Sequence, residues 1–271
     1  MSCTQVASDS VAPNSNTDPT INVVTTTDLK WEQLNPARGA NSPMAATLWG
    51  DRTGPGPSGF LLKPVDGFKS PPHVHTANYH GLVIKGSIHN AEPDAQELYL
   101  GPGSFWTQPG GGVHITAAKG SSIAYIEVED TFDVLPADKK VKNDKTAVVM
   151  PASSIDWVNL PNMPSSSEVP KMAVLWGNPY DDSFSGTLVK IPAGFTATMR
   201  ALGSTLHAVV IQGEIMHRAA GQIGFDTLGE GGYFGSNKEY IHETSCLDED
   251  HCIIYLRNDG KLEVLSANLE R

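Results

Sequence analysis

The chain repeats itself. Met44-Ala-Ala-Thr-Leu-Trp-Gly50 returns as Met172-Ala-Val-Leu-Trp-Gly177, and Ser58-Gly-Phe-Leu-Leu-Lys-Pro64 returns as Ser185-Gly-Thr-Leu-Val-Lys-Ile191. His80-Gly-Leu-Val-Ile-Lys-Gly-Ser87 returns as His207-Ala-Val-Val-Ile-Gln-Gly-Glu214. From Trp49 and Trp176 to Gly86 and Gly213 the separation holds at 127 residues. Farther on, Gly103-Ser-Phe matches Gly232-Tyr-Phe, His114 matches His242, and Tyr125 matches Tyr255. A fixed offset over such a length means duplication, so the fold is two copies of one unit.

Each copy reads as β. Gly59–Lys63, Leu82–Lys85, Ile123–Val128 and Cys252–Arg257 are short, rich in β-branched or aromatic residues, and bounded by turn formers. The 26 glycines and 19 prolines favour many turns. Short helices are expected only after Thr27 and near Ser153–Asp156. Many short strands at regular spacing imply a sandwich, jelly roll or barrel. The units run over residues 20–135 and 148–271, with a linker at 136–147 where the apolar alternation stops. Residues 1–19, rich in Ser, Thr, Asn, Asp and Pro, bury too little to fold and form a tether.

With 30 acidic and 19 basic residues, the net charge of −11 repels phosphate backbones and excludes nucleic acid as a partner. No apolar run is long enough to span a membrane. Cys3, heading a polar tether, resembles the start of a mature lipoprotein. That implies a lipid anchor and a periplasmic or envelope location, with the cytoplasm as the alternative. Cys246 and Cys252 are read as unlinked thiols, with a bridge across a turn as the alternative.

Four histidines stand apart. His73 and His75 are two apart on a strand and point to one face. His80 opens the next strand, from which its side chain can return to the same interior. The turn Pro109-Gly-Gly111 feeds in His114. The spacing Gly67, His73, His75, position 80 and Gly86 resembles the first motif of the cupin superfamily, and Gly103, Pro109, Gly111 and His114 resemble its second. The resemblance implies an all-β protein of two tandem cupin barrels (double-stranded β-helices, or jelly rolls). It also implies one divalent transition metal on His73, His75, His80 and His114: Fe(II) first, with Zn, Mn or Ni as alternatives. His80 stands where that superfamily usually has a glutamate. A metal held by neutral imidazoles keeps its full charge and favours an anionic, chelating ligand. Gln108 is expected to support the ligands, and Glu127 is a candidate acid/base, though packing is the plainer reading of each.

In the second copy Arg200 and Leu202 replace His73 and His75, while His207 and His242 survive. No metal is expected there. Packing is the favoured role, with an anion held by Arg200, His207 and His242 as the alternative. The resemblance implies a metal-dependent enzyme acting on a small molecule, a dioxygenase first. A redox-neutral isomerase, lyase or hydrolase is one alternative, and a non-catalytic sensing or binding protein is the other. A homodimer fits either.

Overall fold

A computed structural model describes residues 20–140, 145–160 and 169–267. The tether with Cys3, and part of the linker, lie outside these residues. Among the described residues there is no α-helix; three 3-10 turns occur, at Pro36–Asn41, Ala137–Lys139 and Ala152–Ser154. The expected helix after Thr27 is a turn, and that near Ser153 is the last of these 3-10 turns.

Two seven-stranded antiparallel sheets dominate. The first runs Val149–Met150, Phe105–Gln108, Tyr79–Ala91, Ile115–Val128, Ser58–Lys63, Met44–Trp49 and Glu32–Gln33. The second runs Ile21–Val24, Tyr233–Ser236, Leu206–Gln212, His251–Asn258, Ser185–Pro192, Lys171–Gly177 and Val158–Asn159. The copies match strand for strand and bulge for bulge. A register shift between Thr47 and Trp49 recurs between Val174 and Trp176. One detail of the repeat changes: Gly103 N–H donates to Val83 O and Gly231 N–H to Val210 O, so Gly103 aligns with Gly231 rather than Gly232.

The edge strands are exchanged. Ile21–Val24, from the start of the chain, pairs with Tyr233–Ser236 in the second sheet. Val149–Met150, at the start of the second copy, pairs with Phe105–Trp106 in the first. A five-stranded sheet from Asp226–Leu228 to Leu262–Ser266 faces the second large sheet. In the first copy, Tyr79–Ala91 and Ile115–Val128 bend at bulges near Lys85 and continue into the opposite wall.

Three apolar clusters fill this frame. Phe60, Val83, Trp106 and Ile126 pack inside the first barrel, and Val189, Val210, Phe234 and Ile254 inside the second. The third lies between barrels, where Leu61, Leu82, Phe105 and Tyr125 meet Leu188, Val209, Tyr233 and Tyr255. The central strands are therefore buried on both faces, which is why they read as apolar runs rather than alternations.

The repeated Ser-Gly has a steric cause. Trp49 and Trp176 lie flat over Gly59 and Gly186, where a Cβ would come within 2.1 and 2.0 Å of the respective indole Nε1. Each indole then donates to a tyrosine hydroxyl 3.0 Å away, Trp49 to Tyr125 and Trp176 to Tyr255.

Cys246 and Cys252 are joined in a disulfide, correcting the reading of unlinked thiols. They sit where two strands of the second copy meet across a short turn. This puts their Cα atoms 5.5 Å apart, within bridging range.

Candidate metal centre

Three of the four expected histidines converge. The segment bearing His73 and His75 runs antiparallel to the one bearing His114, with His73 and His114 exchanging both backbone hydrogen bonds at 3.0 Å. Gly111, at φ 76°, turns the intervening chain so that its N–H donates to His75 O at 2.7 Å. The potential ligand atoms of His73, His75 and His114 all lie within 4.8 Å of one another.

The imidazoles are set for coordination. Each Nδ1 faces a backbone carbonyl: His73 to Pro71 O at 3.0 Å, His114 to Gly112 O at 3.2 Å, and His75 to Asp133 O. A carbonyl can only accept, so each Nδ1 carries the proton and each Nε2 offers a lone pair. Such outer hydrogen bonds fix the tautomer and ring orientation of metal-binding histidines. Burial, then the neighbouring His73, holds His75 at about 4. Burial, then His73 and His75, holds His114 at about 2. All are neutral near pH 7, as a ligand must be. The cluster could hold a metal ion.

His80 is not among them. Along Tyr79–Ala91, Tyr79 and Val83 pack inside the barrel, whereas Leu82 faces the interface between barrels. His80 lies on Leu82's face, because side chains alternate across a strand. Its ring sits 4.8 Å from that of Trp176, in the second copy, and its Nδ1 lies 3.7 Å from Glu127 Oε1. Tyr79 takes the inward place, with its hydroxyl 3.3 Å from His114 Nε2 and 3.1 Å from Asn90 Oδ1. Asn90 in turn donates to Gln108, whose amide donates to Gly112 O. Gln108 thus reaches the same Gly112 carbonyl that His114 Nδ1 faces. With three spacers after His75 instead of four, Tyr79 stands with six residues between it and Gly86. A second signal is His207, the counterpart of His80, which survives in a copy where Arg200 and Leu202 stand in place of His73 and His75.

Glu127 also faces the interface and not the cavity. Tyr255 and Tyr125 hydroxyls donate to its Oε2 at 3.1 and 3.3 Å, and Arg257 Nε donates to its Oε1 at 3.1 Å. Burial would raise this carboxyl, but His80, Arg257 and Tyr255 outweigh it and hold the pKa below the ordinary value. His207 mirrors His80, stacked on Trp49 with centroids 3.9 Å apart.

Arg200, His207 and His242 do not form a site together. Arg200 is paired with Glu263 and Glu239, and His207 belongs to the interface. His242 lies inside the second barrel, between His217 Nε2 at 3.0 Å and Ser236 Oγ at 3.1 Å.

A cavity of about 390 Å³ opens beside His73, His75 and Tyr79. Its walls include Leu62, Phe68, Ile88, Trp106, Ile126 and Phe132, and two arginines, Arg38 and Arg52, also line it. No Asp or Glu does.

No helix of the described residues is long and apolar enough to cross a membrane. No curated protein matches the sequence. Solved structures do match in fold. A candidate dioxygenase from Nostoc punctiforme superposes with a TM-score of 0.64 at 14% identity, over 91% of this chain and 86% of that one. An oxalate decarboxylase from Lactobacillus farciminis, solved as a formate complex, gives 0.59 at 11% identity, over 92% and 89%. Procruciferin, an 11S globulin from Brassica napus, gives 0.57 at 8% identity, over 91% and 86%. These are cupin-family proteins, and the architecture here is likewise two tandem cupin barrels. The model of one family, described as a domain of unknown function (DUF4437), matches residues 22–265, and the chain belongs to that family.

Proposed function

We propose that the protein is a metal-dependent enzyme acting on a small anionic or chelating organic molecule, with dioxygenase chemistry as the leading reading. The observation that carries this is the convergence of His73, His75 and His114, whose potential ligand atoms all lie within 4.8 Å of one another and whose Nδ1 atoms each face a backbone carbonyl. A bound iron would supply Lewis acidity and one-electron chemistry toward dioxygen. The chain supplies the rest. The apolar walls exclude water, and the Tyr79 hydroxyl, which donates to Asn90 Oδ1, sets its oxygen 3.3 Å from His114 Nε2. Among the described residues, no Asp or Glu lines the cavity while two arginines do, which favours an anion.

The buried Tyr79 hydroxyl also favours a second reading, a redox-neutral proton-transfer reaction. The Cys246–Cys252 bridge supports an oxidising compartment such as the periplasm, as would a lipid anchor at Cys3.

Elemental analysis of protein purified without chelators or nickel resin tests the centre. Wild type and His80→Ala should both carry stoichiometric metal, and His114→Ala should carry none. Wild type without metal would overturn the proposal. Oxygen uptake by the iron form with 1,3-dicarbonyls or aromatic diols selects the dioxygenase. Turnover by a zinc or manganese form without oxygen selects the second reading.

A further inference from the structure

Arg52 is almost fully enclosed, its side chain 10% exposed. Its Nη2 donates to Glu32 Oε1 at 2.7 Å, but its buried Nε has no hydrogen-bond partner. A guanidinium cannot shed its proton, so a buried, unsatisfied Nε calls for an explanation. Arg38, on the 3-10 turn Pro36–Asn41, is half-buried and lies 5.8 Å from the Phe68 ring centroid. Among the described residues it has no carboxylate within ion-pair range. Its charge reaches His73, where it adds to the effect of burial in lowering the imidazole. Both arginines line the cavity that also exposes His73, His75 and Tyr79.

We infer that Arg38 and Arg52 form a receptor for a substrate carboxylate, so that the molecule acted on is an organic acid with an apolar body. This rests on reading the cavity as the substrate site. A planar guanidinium matches a carboxylate in a two-point contact. Glu32 already offsets one of the two positive charges, which leaves about one for the ligand, the charge of a carboxylate rather than of a phosphate dianion. Much of the remaining wall is carbon: Leu62, Ile88, Trp106, Ile126 and Phe132 offer surface to a ring or alkyl chain. At roughly 30 Å³ per water-sized group, the volume suits roughly a dozen non-hydrogen atoms.

The test uses chelator-treated, metal-free protein, so it does not depend on the metal. Benzoate, phenylpyruvate and hexanoate are titrated by calorimetry, with benzamide as the uncharged control and inorganic phosphate as the competing anion. At least one acid should bind, weaken with added salt, and lose at least tenfold affinity in both Arg38→Gln and Arg52→Gln. Benzamide should fail to bind. Metal content of both variants should equal that of wild type. Arg52 is buried and its variant must be checked for folding; Arg38 sits on a surface turn, so Arg38→Gln decides the matter alone if Arg52→Gln unfolds. Binding of benzamide as tight as benzoate, failure of every acid, tighter binding of phosphate, or indifference of the acids to Arg38→Gln would each overturn the inference. Arginine-dependent acid binding in a protein that never takes up metal would leave the inference standing and remove the metal reading.

Discussion

The Glu127–Arg257 pair makes the strongest demand on the fold. These residues occupy equivalent places in the two copies, and they meet at the interface between barrels with 3.1 Å between Arg257 Nε and Glu127 Oε1. Both are enclosed, with side chains 5% and 11% exposed. Removing one partner of a buried pair leaves an uncompensated charge and costs about 3–5 kcal/mol, whereas removing both is often neutral. Glu127→Gln and Arg257→Met should therefore each cost about 3–5 kcal/mol, lowering Tm by roughly 6–20 °C for a chain of this size. Methionine is chosen because the Arg257 guanidinium lies over the rings of Trp49 and Phe184, 5.3 and 4.5 Å from their centroids, where a long apolar side chain keeps the contact. The double variant should cost no more than the worse single, giving a coupling of at least about 2 kcal/mol in a double-mutant cycle. Urea unfolding followed by circular dichroism measures all four proteins. Additive losses, or single losses under about 1 kcal/mol, would refute the reasoning.

Two further outcomes follow from the second copy. The Cys246–Cys252 bridge closes a loop of separation 6, so replacing both with serine should cost about 2–2.5 kcal/mol, read as a fall in Tm of roughly 5–10 °C that reductant reproduces in wild type. Burial holds His217 at about 4, and burial with His217 nearby holds His242 at about 3, against an ordinary 6.5. The unfolded chain then takes up protons first, so stability is full above pH 6.5 and falls progressively from there toward pH 4. Urea midpoints of metal-free protein should drop between pH 7 and 5, and a flat series would contradict the assignment.

The sequence carried the duplication, the β character and the three histidines that converge, because each rests on local spacing that a barrel leaves intact. His80 misled because two spacings fit the first motif, and only strand alternation decides between Tyr79 and its neighbour. The interface was illegible for a different reason. Leu61, Leu82, Leu188 and Val209 look like ordinary core residues until both faces of their strands are seen to be covered. Glu127 and Arg257, 130 positions apart, look like unrelated surface charges. Arg52 gave no signal in sequence, since its importance lies in a missing partner.

The exchanged edge strands set a clock on synthesis. Ile21–Val24 is the first of the described strands to be made, yet its partner Tyr233–Ser236 comes more than two hundred residues later. At about 5–20 residues per second, that is a wait of roughly ten to forty seconds. Throughout it, a strand of Ile, Asn, Val and Val has no sheet to join, and the second barrel has no seal on that side. The nascent chain therefore completes its fold from its last-made half back to its first-made strand. Holding Ile21–Val24 unpaired until then is the point at which a chaperone would make the most difference.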